Sequence, residues 1–337
     1  MPSLVISDPT LRDGNHAARH QLSRQQIACY AQAADEAGVP VVEVGHGNGL
    51  GASSLQVGES AISDEEMLSA AREKLTRAKL SIHVIPGFAT INKDLKRALE
   101  LGVDIVRVGC HCTEADTTQR HIGFARERGK ESYGVLMMSH MASKDVLLDE
   151  CRKMESYGAE AVVLMDSAGA SLPGDVTEKV GHLVVNLGIP VGFHAHNNLG
   201  MAIANSVAAV QAGATILDGT ARGFGAGAGN AQIEVLVAVL HKMDYTTGID
   251  LYKILDAADL AEKHVMNVVP SIKSTSVVSG LSGVFSGFIQ HVERIAKEYK
   301  VDPRDIFFQL GERKAVAGQE DLIIEVALAL SQKQRKS

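Results

Sequence analysis

Short runs of β-branched and apolar residues alternate with longer amphipathic stretches along most of the chain. The apolar runs lie near residues 4, 41, 82, 105, 133, 161, 190 and 215, and stretches of helical character separate them. Strands that alternate with helices form parallel sheets. Eight such units in a chain of 337 residues predict a closed (β/α)8 TIM barrel of the α/β class.

An open, doubly wound sheet is the alternative architecture for this pattern. That fold needs a glycine fingerprint directly after its first strand, where the backbone approaches a dinucleotide. The segment Asp8–Gly14 follows the first apolar run and reads DPTLRDG, which is not such a fingerprint. The barrel is therefore the favoured prediction.

Glycine and serine mark the predicted ends of the helices. Glycine accepts the left-handed conformation that often ends a helix, and it occupies this place before five of the apolar runs, as Gly38, Gly102, Gly158, Gly188 and Gly213. Two helix starts fit a capping box, in which a serine and a later Glu or Gln bind each other's backbone N–H. These starts are Ser23 with Gln26 and Ser63 with Glu66.

The alternating pattern stops at about residue 245. Beyond it, Asp250–Met266 and His291–Tyr299 have helical character. We therefore predict a catalytic barrel over residues 1–245 and a helical C-terminal region over residues 246–337. This region would serve as a lid, a dimer surface or a docking module.

Composition and charge exclude several classes of protein. Apolar residues make up 45% and charged residues 22%, which describes a soluble globular protein. A formal net charge of -7 and the absence of tryptophan argue against a nucleic-acid binder. No apolar run approaches the roughly 20 residues of a membrane helix, and the N-terminus lacks the pattern of a signal peptide. Four cysteines without CxxC spacing indicate reduced thiols, so we expect a cytoplasmic protein.

The chemistry of the chain is concentrated where predicted strands end. Arg12, Asp13 and His16 follow the first strand, and the seventh strand closes with His194 and His196. Alternate residues of a strand point to the same side, so the two imidazoles face one way. One carboxylate and two imidazoles suit a divalent cation with open positions for a substrate. We interpret Asp13, His194 and His196 as a metal site of a lyase.

Polar residues collect at the other strand ends as well. They include Glu43 and His46, Arg107 and His111, Asp166 and Ser167, and Asp218, whereas the strand interiors are rich in Val, Ile, Leu and Met. Catalytic groups of barrel enzymes gather at this end, so the asymmetry is typical of a barrel with one active mouth.

Each of these features also has a purely structural interpretation. Asp13 alone would suit a turn, and His16 alone would suit a surface loop. Cys110 and Cys112 flank His111, but their spacing fits a tetrahedral zinc site poorly, which favours packing thiols. The glycine-rich segment Gly223–Asn230 fits an anion cradle or a plain tight turn.

Imine chemistry is disfavoured by the distribution of lysines. A Schiff-base aldolase needs a lysine at the mouth end of a strand. We find no lysine in the eight predicted strands or directly after them.

Five segments together resemble the 4-hydroxy-2-oxovalerate aldolases, which are class II pyruvate aldolases of the DRE-TIM metallolyase superfamily. The resemblance covers nearly the whole chain and is carried by Asp8–His16 (DPTLRDGNH), Gly109–His121, Met137–Met141, His194–Gly200 (HAHNNLG) and Gly223–Asn230. It implies retro-aldol cleavage of 4-hydroxy-2-oxopentanoate to pyruvate and acetaldehyde, normally with Mn²⁺. It also implies an NAD-dependent acylating acetaldehyde dehydrogenase as the partner that receives the aldehyde through a tunnel.

The resemblance also assigns roles to individual residues. Asp13, His194 and His196 would bind the metal. Arg12 would stabilise the enolate, His16 would be the general base, and Ser167 would contact the substrate carboxylate. The chain departs from the family at Phe285, which stands where the family has a tyrosine on the aldehyde side of the substrate. The preference for aldehyde and for C4 stereochemistry is therefore open.

Two other functions fit parts of this pattern. A Claisen-type condensing enzyme or acyl-CoA lyase could use the same metal barrel, although such relatives tend to carry charges in the glycine loop, and Gly223–Asn230 has none. A structural subunit that only activates a dehydrogenase would not need Arg12, His16 and the metal site together.

Overall fold

A computed structural model describes residues 4–336 of the chain, and eight parallel strands form a closed barrel within them. The strands follow one another around the barrel in chain order, and β1 pairs with β8 to close it. They are β1 Val5–Leu11, β2 Val41–Val44, β3 Lys79–Val84, β4 Ile105–His111, β5 Glu131–Met137, β6 Ala161–Asp166, β7 Val191–Ala195 and β8 Ile216–Asp218. The predicted TIM barrel with a helical extension is confirmed.

Helices surround the barrel, and at least one follows each of its eight strands. Those up to the last barrel strand are α1 Gly14–Ala17, α2 Arg24–Ala37, α3 Asp64–Arg72, α4 Lys96–Glu100, α5 Gln119–Glu127, α6 Lys144–Ser156, α7 Pro173–Asn186 and α8 Ala202–Gln211. The later helices are α9 Ile233–Lys242, α10 Leu251–His264, α11 Ser274–Ser282, α12 Ile289–Tyr299, α13 Pro303–Glu312 and α14 Asp321–Lys336.

The predicted helix signals are present with one exception. Both capping boxes form, at Ser23 with Gln26 and at Ser63 with Glu66. Gly38 ends α2 in the left-handed conformation with φ of 84°. Gly188 does not take this conformation, because α7 already ends in extended backbone at Leu187.

Two large hydrophobic cores and one small apolar cluster lie within the described residues. The larger core joins the barrel to its surrounding helices and includes Ile254 and Ala258 of α10, which packs on α2. The second core lies wholly in the C-terminal region, between α12, α13 and α14, with Val292, Phe307 and Val326 at its centre. The C-terminal region thus has its own core and can form a distinct unit beside the barrel.

The inside of the barrel is apolar on one side and charged on the other. Val135, Val163 and Met165 form a small buried cluster on β5 and β6. Glu43 of β2, Arg107 of β4 and Asp218 of β8 are also buried, with at most 2% of each exposed. A buried charge is costly unless it is paired. The charged side of the barrel interior therefore marks the mouth above it as a candidate functional site.

Candidate active site

The end of β1 places Arg12 and Asp13 at the barrel mouth. Both backbone N–H groups donate to the carbonyl oxygen of Pro9, at 3.0 and 2.8 Å, which turns the chain inward before α1. Gly14 lets this turn pack closely against the ring of Phe224, because a Cβ at this position would lie only 2.3 Å from the ring. The two side chains are almost fully buried, at 3% exposure each.

Asp13, His194 and His196 come together as the sequence predicts. Each offers one ligand atom, and these atoms lie within 4.8 Å of one another. Nε2 of His194 and Nδ1 of His196 are buried and have no hydrogen-bond partner among the described residues. Two unpaired imidazole nitrogens beside a carboxylate are a suitable donor set for a borderline divalent cation.

Hydrogen bonds fix the orientation of these three side chains. His194 Nδ1 lies 2.8 Å from Oδ2 of Asp218, and His196 hydrogen-bonds to the backbone of Ala226. Asp13 accepts from Arg12 Nη1 through Oδ1 and from Asn230 Nδ2 through Oδ2, both at 2.7 Å. The atoms left over on both histidines are therefore free to bind a ligand in the mouth.

Charge in this cluster does not balance. Arg12 binds Glu43 and Asp13, and Arg107 binds Glu43 and Asp218, at N–O distances between 2.7 and 3.2 Å. Two guanidinium groups thus meet three carboxylates, which leaves one net negative charge in a buried site. Since an uncompensated buried charge is unfavourable, the site is suited to a bound cation.

The pKa values of the carboxyl groups agree with this charge arrangement. Burial alone would raise the pKa of Asp13, but Arg12 and His196 outweigh it and hold the pKa well below its usual range. Burial acts in the same direction on Asp218, where Arg107 and His194 bring the pKa down to about 2. Both groups are therefore carboxylates at neutral pH.

One nitrogen of Arg12 is unused. Its Nε and Nη1 bind Glu43, Asp13 and the carbonyl oxygen of Gly47, whereas the buried Nη2 has no partner among residues 4–336. An unpaired buried donor of a guanidinium costs free energy unless a ligand fills it. Arg12 is thus built to receive an anionic or strongly polar oxygen beside the three potential metal ligands.

His16 lies on α1, beside the cluster of Arg12, Asp13 and His196. Its partly buried ring has no hydrogen bond to any described residue, and contacts with Gly47, His20 and Phe285 surround it. Burial lowers the pKa of His16 to about 3, although Asp13 acts in the opposite direction. The imidazole is therefore neutral at physiological pH and can accept a proton.

Ser167 follows β6 and is fully buried. Its Oγ accepts a hydrogen bond from the backbone N–H of Met138 at 3.0 Å. The hydroxyl proton remains available to a ligand, because a serine hydroxyl can accept and donate at once.

The C-terminal region completes the wall of the site. Ser286 N–H donates to the carbonyl oxygen of Ser167 at 3.0 Å, and Gln290 Nε2 donates to that of His16 at 2.9 Å. Between them, the partly buried ring of Phe285 lies edge-on to His16, with 6.4 Å between ring centroids. A cavity lined by His16, Phe285 and Gln290 lies at this junction.

Other strand-end residues have structural tasks. Asp166 accepts from the N–H groups of Ala170 and Ser171, and His111 binds the hydroxyl of Thr113. Cys110 and Cys112 are free and buried, and burial raises the pKa of both thiols, as expected for packing residues.

The glycine-rich segment after β8 packs against Asp13. The N–H groups of Ala226, Ala228, Gly229 and Asn230 all donate to protein oxygens, including Oδ2 of Asp13 and Oδ1 of Asn198. The protein itself thus engages these four amides. The segment supports Asp13 from behind.

One prediction about lysine needs correction. β3 begins at Lys79, so a barrel strand does carry a lysine. The expectation failed because β3 starts earlier than its apolar run. Lys79 lies at the first residue of the strand, opposite the mouth, and pairs with Glu131 on the exposed surface. None of the eight described strands carries a lysine at its mouth end, as predicted.

Some residues of the site gave little signal in the sequence. Glu43, Arg107 and Asp218 stood out only as polar strand ends, and their mutual pairing depends on closure of the barrel. Asn230 and His20 carry no pattern of their own, since one lies in a glycine-rich turn and the other in a loop. Only the folded arrangement brings them to Asp13 and His16.

Two protein families match this chain, one on each side of the boundary between the cores. The HMGL-like family matches residues 3–261, and the DmpG-like communication domain matches residues 270–332. Within residues 4–336, no helix combines the length and the apolar character needed to span a bilayer.

Similar proteins include two bacterial 4-hydroxy-2-oxovalerate aldolases. That of Pectobacterium atrosepticum is 66% identical over 334 residues, which cover 99% of this chain and 97% of the relative. That of Spirochaeta aurantia is 64% identical over 325 residues, which cover 96% and 95%.

Solved structures share the fold at low identity. The N-terminal domain of a putative aldolase from Bacteroides vulgatus has a TM-score of 0.72 at 24% identity, covering 88% of this chain and 98% of that chain. The carboxyl transferase domain of Rhizobium etli pyruvate carboxylase with oxamate and biotin has a TM-score of 0.83 at 16% identity, covering 99% and 61%. At these identities the likeness supports the fold alone.

Proposed function

Because the chain belongs to the 4-hydroxy-2-oxovalerate aldolase family, we propose that it cleaves 4-hydroxy-2-oxopentanoate and similar 4-hydroxy-2-oxo acids. The products are pyruvate and acetaldehyde or a longer aldehyde. The observation that carries this proposal is the unpaired Nη2 of Arg12 beside the unpaired nitrogens of His194 and His196. Such a site matches a 2-oxo acid, which presents neighbouring oxygens and develops negative charge as it reacts.

Asp13, His194 and His196 are the metal ligands in this proposal. The unpaired imidazole nitrogens and the excess of carboxylate charge support a divalent cation, and two imidazoles favour Mn²⁺ over Mg²⁺ or Ca²⁺. When bound, the metal supplies Lewis-acid stabilisation of negative charge on the 2-oxo acid.

Arg12 stabilises the charge that develops during cleavage. Breaking the C3–C4 bond leaves its electron pair on the pyruvate fragment as an enolate, which is later protonated at C3. The free Nη2 of Arg12 donates to the enolate oxygen, while Glu43 and Asp13 hold the rest of the guanidinium in place. A preorganised donor of this kind acts most strongly where charge develops.

His16 takes the proton of the C4 hydroxyl, directly or through one water molecule. The oxygen then becomes the carbonyl of the aldehyde as the C3–C4 bond breaks. A neutral imidazole suits this task, because its free nitrogen lone pair can accept the proton and the imidazolium can later release it to solvent. Ser167 donates a hydrogen bond from its hydroxyl to the substrate carboxylate, and Phe285 forms the apolar wall at the aldehyde end.

The C-terminal region, residues 246–337 in our prediction, completes the site and docks an NAD-dependent acylating acetaldehyde dehydrogenase. Its match to the communication domain and its own core support this proposal. The two proteins should elute as one complex in size-exclusion chromatography after co-expression. Separate peaks at micromolar concentrations would contradict it.

We also propose that the protein acts in the cytoplasm.

The proposed reaction is tested with metal-loaded protein and a panel of 4-hydroxy-2-oxo acids. We expect pyruvate release, with each aldehyde identified by its derivative. Prolonged chelation should abolish release, and Mn²⁺ should restore it better than Mg²⁺ or Ca²⁺. Consumption of acetyl-CoA together with a 2-oxo acid would instead indicate a Claisen-type enzyme. Full activity of thoroughly stripped protein would contradict the metal-dependent mechanism.

A further inference from the structure

The ring of His16 is placed by packing rather than by hydrogen bonds. No described residue bonds to its nitrogens, so the shape of its surroundings decides where the proposed base points. One wall is Gly47, where a Cβ would lie 2.6 Å from the His16 ring. Another is the ring of His20, edge-on with 5.4 Å between centroids. The position of His16 therefore depends on what holds Gly47 and His20.

Gly47 belongs to the long connection between β2 and α3, residues 45–62, which we name the β2 loop. Leu50 and Val57 of this loop are buried, whereas its first residues include three glycines, Gly45, Gly47 and Gly49, which offer no side chain for packing. The loop also reaches Arg12, whose Nη1 donates to the carbonyl oxygen of Gly47 at 3.2 Å. Further along the loop, Gln56 Nε2 donates to Glu320 Oε2 at 3.0 Å in the C-terminal region. Through Gly47, this one loop borders both Arg12 and His16.

Two stacked histidines hold this loop. The rings of His20 and His46 are nearly parallel, at 12°, with centroids 3.6 Å apart. Nδ1 of His20 accepts from the N–H of Gly47 at 3.4 Å, and Nδ1 of His46 accepts from the N–H of Asn48 at 3.1 Å. Because both rings accept at Nδ1, both are neutral and carry their proton on Nε2.

The opposite edge of each ring binds the far side of the loop. His46 Nε2 donates to the carbonyl oxygen of Gly58 at 3.0 Å, and His20 hydrogen-bonds to the backbone of Val57. The pair therefore ties the start of the β2 loop, at residues 47 and 48, to its return at residues 57 and 58. His20 itself sits at a left-handed backbone position, with φ of 60°, which turns its ring towards the loop.

We propose that His20 and His46 are positioning residues that set the orientation of His16 by clamping the β2 loop. The inference rests on the proposed role of His16 as the base. A clamp of this kind acts mainly on proton transfer at the C4 hydroxyl. Binding of the 2-oxo acid and stabilisation of the enolate depend on Arg12 and the metal ligands, and Arg12 keeps its bonds to Glu43 and Asp13 when its contact with Gly47 is disturbed.

The variants His46→Phe and His20→Phe test the clamp, because they retain a ring but lose both hydrogen bonds. The matched control is His121→Phe, since the buried His121 also binds a carbonyl oxygen, that of Ala89, but lies on α5 outside the loop. We expect kcat for cleavage to fall at least tenfold in the two test variants and less than threefold in the control. KM and the exchange of pyruvate C3 protons with solvent should change less than threefold throughout.

Two further variants guard against a trivial loss of folding. His46→Asn keeps an acceptor for the N–H of Asn48 but loses the stacked ring and the bond to Gly58, so we expect its loss of kcat to be intermediate between the wild type and His46→Phe. Gly47→Ala has no left-handed backbone to disturb, and its methyl group should displace the His16 ring, with the same selective loss of kcat. Equal losses of cleavage and exchange, or equal losses in the His121→Phe control, would overturn the proposal.

Hydrogen–deuterium exchange separates this inference from the proposed function. Backbone amides of residues 45–62 should exchange faster in His46→Phe than in the wild type, whether or not the protein cleaves the proposed substrate. An unchanged exchange pattern would overturn the clamp. Absence of cleavage by the metal-loaded wild type would instead contradict the proposed reaction.

Discussion

Nδ1 of His194 lies 2.8 Å from Oδ2 of Asp218, and the same oxygen accepts from Nη2 of Arg107 at 2.7 Å. Asp218 thereby keeps the His194 proton on Nδ1 and leaves Nε2 free to face the barrel mouth. Carboxylates in this position orient a histidine ligand and increase its basicity.

The first prediction concerns this carboxylate. Asp218→Asn should weaken Mn²⁺ binding about 10- to 100-fold, because the amide neither carries the charge nor fixes the tautomer of His194. The dissociation constant is measured from free Mn²⁺ by electron paramagnetic resonance. Asp166→Asn is the control, since that buried carboxylate binds the backbone of Ala170 and Ser171 instead. Equal affinities of wild type and Asp218→Asn would contradict the assignment of His194.

The second prediction concerns Arg12. Arg12→Ala should reduce kcat by about two orders of magnitude or more, since the lost donor acts mainly when the enolate forms. Arg12→Lys should restore little, because the guanidinium spans Glu43, Asp13 and the carbonyl oxygen of Gly47 and still offers Nη2. Steady-state kinetics with excess metal checks both variants. Near-wild-type turnover of Arg12→Lys would show that a point charge suffices.

The third prediction separates His16 from Arg12. His16→Ala should impair cleavage more than it impairs exchange of pyruvate C3 protons, because the base acts on the C4 hydroxyl. Cleavage is followed by pyruvate release, and exchange is followed by NMR in deuterated buffer. A general base typically contributes about 10²- to 10⁴-fold, which sets the expected loss of cleavage. Equal losses in the two assays would assign His16 to enolisation as well.

Sequence periodicity was sufficient to predict the barrel, because every strand has a β-branched or apolar run and each is followed by a helix. A period of two also predicted that His194 and His196 face one way, and the structure brings both together with Asp13. Gly188 was the exception among helix ends. The helix before it ends in extended backbone at Leu187, so no left-handed residue is needed there.

The supporting contacts could not be predicted in the same way. Glu43, Arg107 and Asp218 lie on three strands that are far apart in the chain, and they meet because the barrel is narrow and closed. The stack of His20 on His46 joins two loops through a left-handed residue, for which no periodic pattern exists. Such contacts depend on tertiary geometry rather than on local preference.

The fourth prediction concerns stability in mild acid. Burial lowers the pKa of His46 from 6.5 to about 4 in the folded protein, although its bond to Gly58 acts in the opposite direction. Between pH 4 and pH 6.5 His46 binds a proton in the unfolded chain but not in the folded protein. The stability that neutral His46 contributes to the folded state is therefore fully present above pH 6.5 and is lost as the pH falls towards 4. The slope for one such group is about 1.4 kcal/mol per pH unit.

Urea unfolding of the metal-free protein at pH 5, 6 and 7 measures this effect. His46→Asn should unfold with a shallower dependence on pH than the wild type, by up to the slope of one proton. His121→Asn, at a histidine outside the β2 loop, serves for comparison. Parallel pH curves for the wild type and His46→Asn would show that His46 is not neutral in the folded state.

The last prediction concerns Phe285, which lies edge-on to His16 and packs against Phe288 with 5.7 Å between ring centroids. Its ring offers no donor to orient the C4 hydroxyl. A missing hydrogen bond is worth about 1 kcal/mol, or roughly fivefold in rate. We therefore expect cleavage of both C4 enantiomers and tolerance of aldehydes longer than acetaldehyde.

Phe285→Tyr should restore a preference for one enantiomer with only a modest change in kcat, because the hydroxyl is added at the aldehyde end and the metal ligands are untouched. Phe285→Leu is the control, since it removes the ring without adding a donor and should leave the enantiomers equally reactive. Chiral analysis of residual racemic substrate at half conversion compares the three proteins. Strong selectivity of the wild type that persists in Phe285→Tyr would mean that stereocontrol resides elsewhere in the site.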